Sequence, residues 1–131
     1  MTYIDLMETI AGMVSTLWPK RMLYRDFCPA DFQRPSGFLY VTNAGFTDVN
    51  IGLVEWTFEA ELTLYAATDS YTVESTEALR ADQNAVLALF AGPSIQVGDR
   101  QIAVYATANA PGPGEAYVTF TASWIDARPG Y

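Results

Sequence analysis

Between residues 53 and 67 the chain reads LVEWTFEAELTLYAA. Val54, Trp56, Phe58, Ala60, Leu62 and Leu64 alternate with Glu55, Thr57, Glu59, Glu61, Thr63 and Tyr65. A period of two puts the first set on one face of a β-strand and the second set on the other. One face is apolar. The other carries three carboxylates and no cation. The stretch 116–124 has the same texture: Ala116, Val118, Phe120, Ala122 and Trp124 alternate with Tyr117, Thr119, Thr121 and Ser123, which predicts a second half-buried antiparallel strand.

The period changes to helical over residues 3–17, where Ile4, Met7, Ile10, Val14 and Leu17 recur at spacings of three and four. Thr2 is placed to cap that helix, Asp5 and Glu8 lie near the positive end of its dipole, and Trp18-Pro19 ends it. A short strand is predicted in KRMLYRDF (20–27), then a connection over 26–37 that holds two prolines and two phenylalanines. FLYVTN (38–43) predicts a strand, and 44–52 a turn built on Gly45, Asp48, Asn50 and Gly52. After the strand at 53–66, a second helix is predicted over 76–91, capped by Ser75 or Thr76. It should bury Leu79, Val86, Leu89 and Phe90 and turn Arg80, Asp82, Gln83 and Asn84 to water, with Gly92-Pro93 as its stop. SIQVGDRQIAVYATA (94–108) is extended, with Gly98-Asp99 a candidate hairpin turn, and NAPGPGE (109–115) is a loop.

The predicted order is α-β-β-β-α-β-β in one domain, residues 1–131. Hairpin-length connections make the sheet mainly antiparallel, and two helices cover its apolar face: an α+β fold. On this reading a charge introduced at Phe58 unfolds the domain, and a change at Thr57 does not.

Charge narrows the chemistry. The chain has 15 acids, seven bases and no histidine, a net charge of −8. A sequence-independent grip on nucleic acid needs lysines and arginines to displace phosphate counterions, so that class is excluded. Lys20, Arg21 and Arg25 make a patch too small for a phosphate cradle; it suits a solvated or interface edge. Without histidine, serine–histidine and cysteine–histidine nucleophiles are ruled out, and one cysteine leaves little for zinc. APGPG has glycines, but its prolines lack the amides a phosphate needs. Glu59 and Glu61 share a strand face at a spacing of about 7 Å, which suits a carboxylate pair for glycoside chemistry. Their threonine neighbours offer no apolar pocket to raise a carboxyl pKa, so a solvated face is preferred. Cys28 in FCPAD fits a small hydrophobe beneath a loop, DVNIGLVE lacks the ligand ladder of a calcium loop, and Trp18, Trp56 and Trp124 fall at core positions. The expectation is no enzyme, no cofactor and no metal. The lone cysteine, an N-terminus unlike a signal peptide and apolar runs too short to span a bilayer predict folding in a reducing cytoplasm, away from membranes.

The layout as a whole resembles the tail terminator (tail completion) proteins of long-tailed bacteriophages. The pieces that carry the likeness are the N-terminal helix TYIDLMETIAGMVSTLWP, the strand-turn-strand FLYVTNAGFTDVNIGLVEWTFEAELTLYAA, and STEALRADQNAVLALF followed by QIAVYATA and AYVTFTASWID. The resemblance spans nearly the whole chain and rests on size, order and texture rather than on a catalytic signature. It implies a structural virion protein at the head-proximal end of the tail, assembled in the host cytoplasm. Such a protein forms a homo-oligomeric ring, typically a hexamer, that caps the tail tube protein and meets the head–tail connector proteins. DNA passes through the ring without specific binding.

Under that resemblance Glu55, Glu59 and Glu61 line the channel, where like charge keeps DNA from adhering; an ordinary solvated outer face is the equal alternative. Phe27, Phe32, Phe46, Pro111 and Pro113 lie in long loops and suit contacts with neighbouring subunits or the tube, or fold back on their own domain. The tail DARPGY is a further candidate for contact with a neighbour. The alternatives are another head–tail connector, completion or tail tube protein of a phage or phage-like particle, and an α+β module that holds a small ligand between sheet and helices.

Overall fold

The structure is a computed structural model that describes residues 1–69 and 72–130. Helix α1 (Tyr3–Leu17) begins at Thr2, whose hydroxyl accepts from the Asp5 amide while the Asp5 carboxylate accepts from the Thr2 amide. This capping box satisfies two amides that the first turn leaves without partners. The chain continues through β1 (Leu23–Arg25), β2 (Ser36–Asp48) and β3 (Leu53–Tyr65) to helix α2 (Val73–Leu89). It then forms β4 (Ile95–Val97), β5 (Arg100–Ile102), β6 (Val104–Ala108) and β7 (Glu115–Ala127). The fold is α+β, a mainly antiparallel sheet under two helices. The order α-β-β-β-α-β-β holds, with the penultimate strand divided into the hairpin β4–β5 and the separate strand β6.

The main sheet has five strands in the order β1-β2-β3-β7-β6. All its pairs are antiparallel except β1–β2, which is parallel over Leu23↔Gly37 to Arg25↔Leu39. In β3, Val54, Phe58, Ala60, Leu62 and Leu64 are buried against the helices, and Ala116, Val118, Phe120, Ala122 and Trp124 do the same from β7. Phe120 is fully buried, with its ring centroid 5.0 Å from that of Phe90 at the end of α2. Gly98 turns the β4–β5 hairpin at φ +59, a backbone region where glycine bears no Cβ penalty.

Four local expectations are corrected. Ile4 is 56 % exposed, whereas Leu6 and Ala11 are buried. At about 100° per residue, Leu6 and Ala11 lie within the arc centred on Ile10 and Val14, and Ile4 falls at its margin. The second helix starts at Val73, capped by the Thr72 hydroxyl, which accepts from the Ser75 amide at 2.9 Å. Its first turn lies outside the core, with Val73 75 % exposed, so no apolar period marks it. Gln83 does not face water: it occupies the buried stripe Leu79–Gln83–Val86–Phe90, and its Nε2 donates to the carbonyls of Asn109 (2.6 Å) and Tyr117 (2.9 Å). Finally, residues 44–48 are strand, and the turn is confined to 49–52. A bulge between Val41 and Asn43 shifts the alternation by one, so Leu39 and Val41 face the helices before it, and Ala44 and Phe46 after it.

Candidate functional site

The sheet has a helix-free face. Glu55, Thr57, Glu59, Glu61, Thr63 and Tyr65 project from β3 onto it. The register sets Ile125, Ser123, Thr121, Thr119, Tyr117 and Glu115 of β7 beside them in that order. On the other side β2 supplies Thr47, Gly45, Asn43, Tyr40, Phe38 and Ser36. Glu55 and Glu59 are exposed and Glu61 is half-buried, so the three candidate channel residues share one face. Glu115 makes a fourth carboxylate there. The alternation predicts its strand only from residue 116 onward, which leaves Glu115 out.

This face has three zones. At one end the connection 26–35 folds back over it. The Phe32 ring packs on Tyr65 with centroids 4.2 Å apart, and the Arg34 guanidinium lies 4.9 Å from the centre of the Phe32 ring. Arg34 Nη1 also donates to the carbonyls of Ala66 (3.2 Å), Thr68 (3.4 Å) and Gly114 (3.2 Å), tying three segments together. Gly114 has φ +71, and a Cβ there would lie 2.5 Å from the Asp69 backbone, so only glycine admits this close approach. Under this cover two phenols serve carboxylates: Tyr40 donates to Glu61, and Tyr117 donates to Glu115 at 2.6 Å. Burial and the neighbouring Glu61 raise the Tyr40 pKa; the hydrogen bond to Glu115 and burial raise that of Tyr117. Burial, with Cys28 and Glu115 nearby, pushes the Tyr65 phenol up to about 12. Cys28 Sγ, half-buried, lies 4.0 Å from Tyr65 Oη, in keeping with a small side chain beneath a loop.

In the middle of the face is a shallow trough of about 350 Å³, floored by Thr57, Thr121 and Ser123 and bordered by Glu59, Asn43 and Tyr105. Thr42 donates to Glu59 at 2.8 Å. Tyr105, 68 % exposed, enters this face from β6 opposite Thr121. Its place was not legible because strand register is not written in periodicity.

At the far end the β2–β3 hairpin is held in shape. The Asn50 side-chain carbonyl accepts from the amides of Gly52 and Leu53, each at 2.9 Å. Arg128 Nη2 donates to Asp48 (2.6 Å), its Nε to the Ile51 carbonyl (3.0 Å), and its amide to the Gly52 carbonyl (2.9 Å). The tail proposed for contact with a neighbour is thus engaged through Arg128 with its own hairpin; Tyr131 lies outside the described residues. Close by, Asp126 pairs with the N-terminal ammonium (3.3 Å) and Arg100 (3.1 Å). Burial works against its ionisation, but the Ala127 amide, the ammonium and Arg100 outweigh burial and hold the carboxyl below its ordinary pKa.

The candidate interface residues separate. Phe27 is 73 % exposed and Phe46 is 43 % exposed, with the Phe46 ring 5.0 Å from Trp56. Phe32 is committed to its own domain, as described. Pro113 is exposed and Pro111 half-buried in the 109–114 loop. The patch read from Lys20, Arg21 and Arg25 is partly neutralised: Arg21 pairs with Asp82 at 2.8 Å, and Arg25 pairs with Glu8. Among the described residues no group of three or more acidic or cysteine side chains is arranged to hold a metal ion. Among the same residues no helix is long and apolar enough to cross a membrane. No protein-family model matches the chain, and no curated protein matches it significantly.

Proposed function

We propose that this protein is a structural subunit of a phage or phage-like virion that closes into a ring, caps the tail tube, and presents its helix-free sheet face to the channel. The observation that carries this reading is the composition of that face. Glu55 and Glu59 stand exposed on it, Glu61 and Glu115 are held by phenols, and Arg34 at its margin is turned down onto rings and carbonyls. Such a surface repels a phosphate backbone and leaves a duplex free to slide. Between these carboxylates the open middle of the face is mostly threonine, serine and asparagine, with Tyr105 and Ile125 exposed beside them and, among the described residues, no basic side chain reaching out from it. Two clefts lie between α1 and the β1–β2 edge: one has about 10 Å³ of free space, enough for one water, and the other, of about 320 Å³, is bordered by Glu8, Arg25 and Asp26, a lining too charged for an apolar ligand.

Antibody against the chain, applied to particles that carry it, is expected to label the head–tail junction. Labelling confined to the capsid or the distal tail tip would refute the tail-capping role. Charge reversal by Glu55→Lys, Glu59→Lys and Glu61→Lys together is expected to create DNA binding that weakens steeply with salt. The same variant particles should eject DNA slowly; unchanged ejection would remove the acidic face from the channel.

A further inference from the structure

Among the described residues the main sheet has two edges that no further strand covers, and they fit one another. β6 is one edge strand, paired on its inner side with β7. β2 is the other along most of its length, because β1 covers it at Gly37 to Leu39 and no farther. Edge strands are usually blunted by lysine, proline or short length. Over residues 43–48 and 104–108 neither edge carries proline or a basic residue, and Asp48 is the one charge in the two stretches.

Hydrogen-bond parity shows which groups face outward. The Asn109 amide donates to the Tyr117 carbonyl, so Asn109, Thr107 and Tyr105 bond to β7, and Ala108, Ala106 and Val104 point their backbone groups away. The Val49 amide donates to the Leu53 carbonyl, so Thr47, Gly45 and Asn43 bond to β3, and Asp48, Phe46 and Ala44 point outward. On both edges the outward-bonding residues are also those whose side chains lie on the helix side of the sheet. Two copies can therefore join edge to edge with every bond made and both helix layers on the same side. Had the parity differed on one edge, the join would have turned the helices of alternate copies to opposite sides.

We propose that β6 of one copy pairs antiparallel with β2 of the next, with Ala108, Ala106 and Val104 opposite Ala44, Phe46 and Asp48. This rests on the ring reading above and names the surface that makes the ring. Bulky side chains then meet small ones: Phe46 faces Ala106, Tyr105 faces Thr47, and Thr107 faces Gly45. The bulge at Val41/Asn43 and the cover of β1 exclude the rest of β2. Within one subunit Val104 lies level with Ala44, through Ala122 and Phe58. The join therefore steps each copy four positions along the strand, about 13 Å. The four strands β2, β3, β7 and β6 span about 19 Å across a subunit. That step over that width tilts the strands by roughly 35°, close to the tilt of closed barrels. Both edges are used head to tail, so the assembly closes on itself or forms an open helix.

The test uses the full chain with Cys28→Ser and two introduced cysteines. Tyr105→Cys with Thr47→Cys is expected to oxidise into covalent multimers up to a closed ring, while Tyr105→Cys with Asn43→Cys stays uncrosslinked. Ala108→Pro removes an outward amide without touching the β6–β7 bonds and is expected to weaken self-association at least tenfold, with its circular dichroism spectrum unchanged. Crosslinking through Asn43 instead of Thr47, or dimers from Tyr105→Cys alone, would overturn the pairing. Rings that persist in Ala108→Pro and do not crosslink at Thr47 would sink this edge pairing and leave the ring reading standing. A protein that stays monomeric at every concentration, without crosslinks, would remove both.

Discussion

Phe58 and Glu59 are neighbours in sequence and live on opposite sides of the same sheet. Phe58 is 3 % exposed among helix side chains, whereas Glu59 is exposed beside a trough of threonine and serine. The same division runs along β7, where Phe120 is fully buried and Thr121 is exposed. The inner face carries stability, and substitutions there should be costly. The open part of the outer face, where Glu55, Thr57 and Glu59 stand in solvent, is expected to contribute little to folding.

The largest effect should come from the inner face. Phe120→Ala is expected to lower unfolding free energy by about 3–5 kcal/mol, from lost burial and the cavity left beside Phe90. A urea titration measures it, and a loss below about 1 kcal/mol would mean the core is looser than described. Next is Gln83→Leu, which keeps an apolar stripe but takes the side-chain donor from the Asn109 carbonyl and leaves the Tyr117 carbonyl with the Asn109 amide alone; a loss of about 1–3 kcal/mol is expected. Hydrogen exchange at the start of the 109–114 loop should accelerate with it.

Asp126→Asn comes third, at about 1–2 kcal/mol near neutral pH. The Asp126 carboxyl is held below its ordinary pKa in the folded protein. Its contribution is therefore present above the unfolded value of about 4 and lost as pH falls through the folded value. The variant should lose stability at neutral pH and show a shallower acid limb; an unchanged limb would remove Asp126 from that role. The smallest effect is expected from Glu59→Gln, within about 0.5 kcal/mol. A larger loss would blur the contrast between the faces.

The inner face was legible because alternation over 53–66 and 116–124 marks buried positions directly. Helix α1 and its Thr2 cap were legible for the same reason, apart from the marginal Ile4. The second half of β2 was not, because the bulge breaks the period and Gly45, Thr47 and Asp48 have turn chemistry. Polarity alone sends Gln83 to the surface, whereas its spacing from Leu79 and Val86 places it in the buried stripe. The three glutamates were legible as one face. Their neighbours Tyr40, Glu115 and Tyr105 were not, since register depends on which strands meet. Nor could the sequence show that Phe32 folds back under Arg34, a contact closed by carbonyls from two distant segments, 66–68 and Gly114.

In the proposed ring the open acidic face turns inward on the hole. A cryo-electron-microscopy reconstruction of the assembled protein tests it most directly. The expected result is a closed ring with Glu55 and Glu59 lining the channel and both helices on the outer wall. A ring with α1 or α2 lining the hole, or particles without a channel, would contradict it.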